Sequence, residues 1–217
     1  MATAVMNDQL TVQATVLSAG VGAVLRSAEY QQVFCAYAAP ASWHLLDSPE
    51  REVNPLPAVP KLEGPDTAGL FGRLAGVAGQ LGYSVGLVAA PGGRPGYNGA
   101  TSHELRVVQV NRALAPLQRA KTLGHELTHV ILHGPAVPRL APCVRELQAE
   151  TCCWMLFGQL GTDTGAFSYP YIAKYGAVRT GTVLYHEQAI SAAVQEVAPA
   201  AGWIMSVLPA AGAGMAR

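Results

Sequence analysis

Apolar residues recur at helical spacing along most of this chain and alternate in only two short stretches. Residues Asp8 to Ala38 lack proline, and Val16, Leu17, Val21, Val24 and Leu25 form one apolar stripe. That pattern predicts one or two amphipathic helices. Ser48 to Pro65 carries Pro49, Pro55, Pro57, Pro60 and Pro65, which predicts an extended linker. Asp66 can cap a helix running to Leu81, with Gly82 as its stop. Tyr83 to Ala89 alternates loosely and reads as a strand. Pro91 to Gly99, dense in glycine and proline, reads as a turn. Leu105 to Val110, with Val107, Val108 and Val110, is the clearest strand. From Leu117 to His133 there is no proline and one glycine, Gly124. Leu123, Leu127, Val130 and Ile131 recur there at helical spacing. Pro116 suits a first helical turn, and Gly134-Pro135 is a stop signal. Another apolar helix opens near Arg145 and continues through Cys152, Cys153, Trp154, Met155, Leu156 and Phe157.

The order helix, strand, strand, helix, helix predicts an α+β fold with a small mixed or antiparallel sheet packed on helices. No internal repeat is evident. The expected division is an N-terminal helical segment (1–47), a Pro-rich linker (48–65), one domain (66–208) and a flexible tail (209–217).

Composition narrows the function classes. A hydrophobic content of 50% against 13% charged supports a sizeable core. A formal net charge of +0 disfavours both a protein built to grip nucleic acid and an acidic mimic of it. Cys35, Cys143, Cys152 and Cys153 include no C-x-x-C pair and read as reduced, mostly buried thiols. A metal role for Cys143 is the minor alternative. Asp8 precedes any basic residue and Gln13 interrupts the following apolar run, so no secretory signal is expected and the location reads as cytoplasmic. Val197 to Ala216 is uncharged, but its two prolines and three glycines predict a final helix with a frayed tail, not a membrane span.

The candidate chemistry lies in His125-Glu126-Leu127-Thr128-His129, an H-E-x-x-H pattern. On a helix, two imidazoles four residues apart lie about 6 Å apart along the axis and about 40° around it. Both rings then face one ion, and Glu126 beside them can act on a water. The competing reading is a helix with two incidental surface histidines.

Catalytic zinc usually takes three protein ligands. The third candidate is Glu146, in Arg145-Glu146-Leu147-Gln148-Ala149-Glu150. Glu146, Ala149 and Glu150 share a helix face. Ala149 permits close approach of a neighbouring helix, and Glu150 can accept the second ring N–H of a ligand histidine. A solvated acidic helix start is the alternative for both carboxylates. His133 is a rival ligand, but it falls about 12 Å along the helix from His125. It is expected to cap the helix C-terminus instead. A sheet edge beside the motif helix can hold an extended peptide by strand addition, and Leu105 to Val110 is the candidate edge; the alternative is an interior strand.

Val107-Val108-Gln109-Val110-Asn111, the H-E-x-x-H helix and Glu146-x-x-Ala149-Glu150 together resemble the zincin-like ImmA/IrrE metallopeptidase family. They are most similar to the metallopeptidase-like domain of ArdC-type antirestriction proteins and their actinobacterial and phage relatives. Leu160-Gly161-Thr162-Asp163-Thr164 and Phe167-Ser168-Tyr169-Pro170-Tyr171-Ile172 resemble a segment of that actinobacterial group. The resemblance covers roughly Asp66 to Val197. It implies a zincin-like fold, Zn2+ held by His125, His129 and Glu146, and Glu126 as general base. It also implies roles in cleaving repressors or protecting incoming DNA. The ArdC type carries a long N-terminal single-strand DNA-binding domain that the residues before Asp66 do not resemble.

The expected reaction is hydrolysis of a protein or peptide substrate by metal-activated water. Glu126 takes the water proton and later passes it to the leaving amine. Tyr169, Tyr171 and Tyr175 are candidate oxyanion donors, with core or rim packing as the alternative. No other cofactor site is expected. A non-catalytic antirestriction or binding protein on the same scaffold is the second hypothesis, and a structural zinc domain the third.

Overall fold

The computed structural model of the chain describes residues 12–21, 23, 59–137, 140–180 and 186–210, with backbone alone for 174–180 and 186–189. Val24, Leu25, Cys35, most of the linker and the tail beyond residue 210 lie outside them. Among the described residues, six helices and a three-stranded mixed sheet make an α+β fold, as the hydrophobic pattern predicts. Two compact units are formed. Of the described residues, one unit contains those up to Pro60, Leu140–Trp154 and those within Asp163–Ala198; the other contains those from Lys61 to residue 137, Met155–Thr162 and those from Pro199 to residue 210.

In the second unit, helix α2 spans Leu70–Gln80 and starts later than Asp66. Gly69 takes the N-cap in the left-handed region (φ 61). Asp66 reaches forward, so that Oδ1 accepts from the Leu70 N–H at 2.7 Å and Oδ2 from the Phe71 N–H at 2.8 Å. Two orphan donors of the first turn are thereby satisfied. Leu70, Leu74, Val77 and Ala78 are the buried stripe. The helix ends before Gly82, whose φ of 77 favours glycine.

The sheet has strands β1 (Ser84–Val88), β2 (Gly99–Ser102) and β3 (Val107–Asn111) in the order β1-β3-β2. β1 runs parallel to β3, with Ser84 opposite Val107; β2 runs antiparallel, with Gly99 opposite Val110. The strand expected over Leu105 to Val110 is therefore shifted and is not an edge. Leu105 is 72% exposed in the β2–β3 loop, and Arg106 adopts φ 51. Val108 and Val110 are fully buried. The β-branched residues marked the strand most enclosed by neighbours, which is the central one. The edge beside the motif helix is β2, whose Gly-Ala-Thr-Ser sequence carries no alternation. The turn expected over Pro91 to Gly99 gives way to this strand at Gly99, and Ala100 to Ser102 carry no sequence signal for it.

Asn111 ends β3 by accepting the Ala113 N–H at Oδ1 (2.9 Å). Pro116 then opens helix α3 (Pro116–Leu132), which packs with α2 against the sheet. Its buried face includes Ala120, Leu123, Leu127 and Val130, and also Lys121 and Glu126. His133 follows as the C-cap, donating its backbone N–H to the His129 carbonyl at 3.0 Å.

Helix α4 (Pro142–Gln159) begins three residues before Arg145. Its residues Leu147, Ala149, Cys152 and Cys153 are fully buried in the first unit. Helix α5 (Gly165–Thr180) was not foreseen; Asp163 Oδ1 accepts its first N–H at 2.7 Å. Also in this unit, residues 12–21 form helix α1, with Leu17 and Val21 fully buried. Helix α6 spans His186–Val207. Cys143, Cys152 and Cys153 are not joined in disulfides. No helix among the described residues is long and apolar enough to cross a membrane.

Candidate metal centre

Helix α3 presents His125 and His129 one turn apart, with ring centroids 5.0 Å apart. Their Nε2 atoms lie 3.2 Å from each other. Two imidazole nitrogens bound to one tetrahedral zinc at their usual distances sit about 3.3 Å apart. The spacing thus matches a shared ion, and it also permits one N–H···N hydrogen bond. Glu146, on α4, completes a donor set. One ligand atom from each of His125, His129 and Glu146 lies within 4.8 Å of the others, and all three residues are half-buried. Two neutral nitrogens and one carboxylate oxygen suit a divalent ion, and three ligands leave a position open.

His133 does not belong to that donor set. Its Nδ1 sits 2.8 Å from Nδ1 of His129, on the side of the ring away from His125. The helix-capping expectation therefore holds for its backbone, while the ring has a second contact that spacing alone did not reveal.

Glu126 is 7% exposed. Its Oε2 accepts a hydrogen bond from Thr101 Oγ1 at 2.7 Å, and the same hydroxyl lies 3.3 Å from the Glu126 carbonyl oxygen. Thr101 is on β2, so this edge strand anchors the carboxylate that follows His125 in sequence. The approach of strand to helix depends on Gly99. A Cβ there would lie 2.7 Å from both Glu126 Oε1 and Thr122 Cγ2. Sequence reasoning missed both residues. A Gly-x-Thr run after a Gly/Pro-rich turn carries no chemical signature until the strand is placed.

The remaining candidates occupy the first unit. Glu150 is 2% exposed, and its charge acts on Tyr171. Burial, reinforced by Glu150, pushes the Tyr171 phenol above its ordinary value. The Tyr171 ring stacks on Phe167 at 5.0 Å. Tyr169 packs near Trp154 and against Gly165, where a Cβ would come within 2.7 Å of its ring. Burial and the nearby Asp163 raise its phenol too, opposed by a hydrogen bond with Trp154. The side chain of Tyr175 lies outside the described residues.

No protein-family model, curated protein or solved structure matches this chain. Its class therefore rests on the fold and the donor set. The arrangement is zincin-like, with an H-E-x-x-H helix beside a small mixed sheet and a carboxylate from a later helix completing a group able to hold a metal ion.

Proposed function

We propose that this protein is a zinc-dependent endopeptidase. Its substrate is a protein, and the resemblance to ImmA/IrrE and ArdC-type proteins points to a repressor or defence-related regulator of a mobile element. One observation carries the reading: the two Nε2 atoms at 3.2 Å, with Glu146 as third donor and Glu126 next in sequence. His125, His129 and Glu146 would hold the ion. Zinc, when bound, supplies Lewis acidity, making a nearby water acidic and polarising a carbonyl.

The chain's own groups do the rest. Glu126 accepts the water proton at its carboxylate and returns it to the leaving amine. Thr101 Oγ1 donates to Oε2 and so helps fix the orientation of the carboxylate. β2 is an edge strand of this sheet, the one that contacts Glu126, and an extended substrate adding to it would run past the same carboxylate. Glu150 is retained as the proposed outer partner of the donor set, and Tyr171 and Tyr169 as proposed oxyanion donors; burial keeps both phenols protonated and able to donate.

The test pairs metal analysis with Glu126→Gln. Purified protein is expected to hold one zinc per chain, and the variant to keep it. Co-expression with transcriptional repressors encoded nearby, followed by mass spectrometry, should show fragments with the wild type and none with the variant. Full biological activity in the variant would instead establish a non-catalytic binding protein on this scaffold.

A further inference from the structure

We infer that His133 is a positioning residue for the metal centre, fixing the tautomer and ring orientation of His129. The inference rests on the metal-centre reading and adds a residue to it. A neutral imidazole has one N–H and one lone pair. The contacts His133 Nδ1···Nδ1 His129 Nε2···Nε2 His125 form a chain in which protons can run in either direction. A shared ion needs lone pairs on both Nε2 atoms, so the Nε2···Nε2 hydrogen bond gives way to it and only the His129–His133 link remains. Coordination through His129 Nε2 needs its lone pair there, which puts the proton on Nδ1. That N–H then points at His133 Nδ1, 2.8 Å away, which must accept. Ligand histidines commonly donate their other N–H to a carboxylate or carbonyl, and here a third imidazole takes that place.

Placement supports the role. His133 ends α3 as its C-cap, with φ −122 and ψ 26, and its backbone N–H is tied to the His129 carbonyl. The acceptor is thus anchored to the residue it orients. The rings sit 5.0 Å apart and are tilted by 50°, which lets one N–H meet the other's in-plane lone pair without stacking.

The experiment measures zinc affinity of the full chain by competition with a chromophoric chelator, for wild type, His133→Phe and His133→Asn. Phe keeps a ring but removes the acceptor. Asn puts Oδ1 as many bonds from the backbone as Nδ1 and restores it. Expected is a loss of about 10- to 100-fold in affinity for His133→Phe, with most of it recovered in His133→Asn. Nitrogen-15 NMR of the zinc-loaded wild type should show a hydrogen-bonded, slowly exchanging Nδ1–H on His129, absent from His133→Phe. Wild-type affinity in His133→Phe, with that N–H signal unchanged, overturns the inference and leaves the metal centre standing. A wild type that binds no zinc overturns both.

Discussion

At the scale of single residues, the Glu126 carboxylate is defined by two neighbours with little intrinsic chemistry. Thr101 donates a charge-assisted hydrogen bond of 2.7 Å, a type worth about 1.5–3 kcal/mol. Thr101→Val keeps the shape and removes the donor. It is expected to lower kcat/KM on a cleaved substrate by about 10- to 100-fold while zinc content stays unchanged. Thr101→Ser should recover most of the loss, because the hydroxyl, not the methyl, faces Oε2. Equal activity of all three proteins would show that the carboxylate is held by something else. Gly99 acts by size. A methyl 2.7 Å from both Glu126 Oε1 and Thr122 Cγ2 must move the carboxylate or the strand. Gly99→Ala should therefore cost about 1–3 kcal/mol in chemical denaturation. Unchanged stability would mean that β2 retreats from the helix without penalty.

At the scale of elements, what was legible in the sequence follows from which signals are local. α3 was readable to within a residue or two, because Pro116, the apolar spacing and Gly134-Pro135 each act over a few positions. His125, Glu126 and His129 came with it, since one helical turn fixes their mutual geometry. Glu146 was readable only as a candidate, because its approach to the histidines depends on how α4 is placed. β2 was invisible. Its four residues are all half-buried, and its existence depends on pairing with β3 from 99 to 102 onto 107 to 110. Once β2 is placed, β3 becomes interior, so the alternative reading of Leu105 to Val110 replaces the candidate edge. His133 shows the same limit in miniature: its spacing from His125 disfavoured it as a ligand, yet spacing could not show its ring meeting His129. Asp66 gives an element-level prediction. Its carboxylate accepts from the N–H groups of both Leu70 and Phe71, so Asp66→Ala should destabilise α2 by about 1–2 kcal/mol. Hydrogen exchange at those two amides should accelerate first; protection unchanged there would mean the capping contact contributes little.

At the scale of the whole molecule, stability should answer to both protons and metal. Tyr171 has a folded-state pKa raised above 10.0 by burial and by Glu150. The folded chain therefore keeps a proton that the unfolded chain loses first. The contribution is fully present below pH 10.0 and is lost as pH rises through the folded value, so Tyr171→Phe should flatten the alkaline fall in stability. The metal makes the stronger demand. A donor set drawn from α3 and α4 exists only when the chain is folded, so an ion held there stabilises the native state by mass action. Zinc at a hundredfold excess over its dissociation constant adds about 2.7 kcal/mol. For a chain of 217 residues that amounts to a rise in Tm of about 5–10 °C, reversed by chelation. Glu126→Gln should show the same rise, because Glu126 contributes no donor atom to the group. His129→Ala and Glu146→Ala should each lose most of it, since either leaves two ligands. A Tm indifferent to zinc in the wild type would remove the ion from this site, and hydrolysis by metal-activated water with it; a rise that survives Glu146→Ala would keep the ion and assign its third ligand elsewhere.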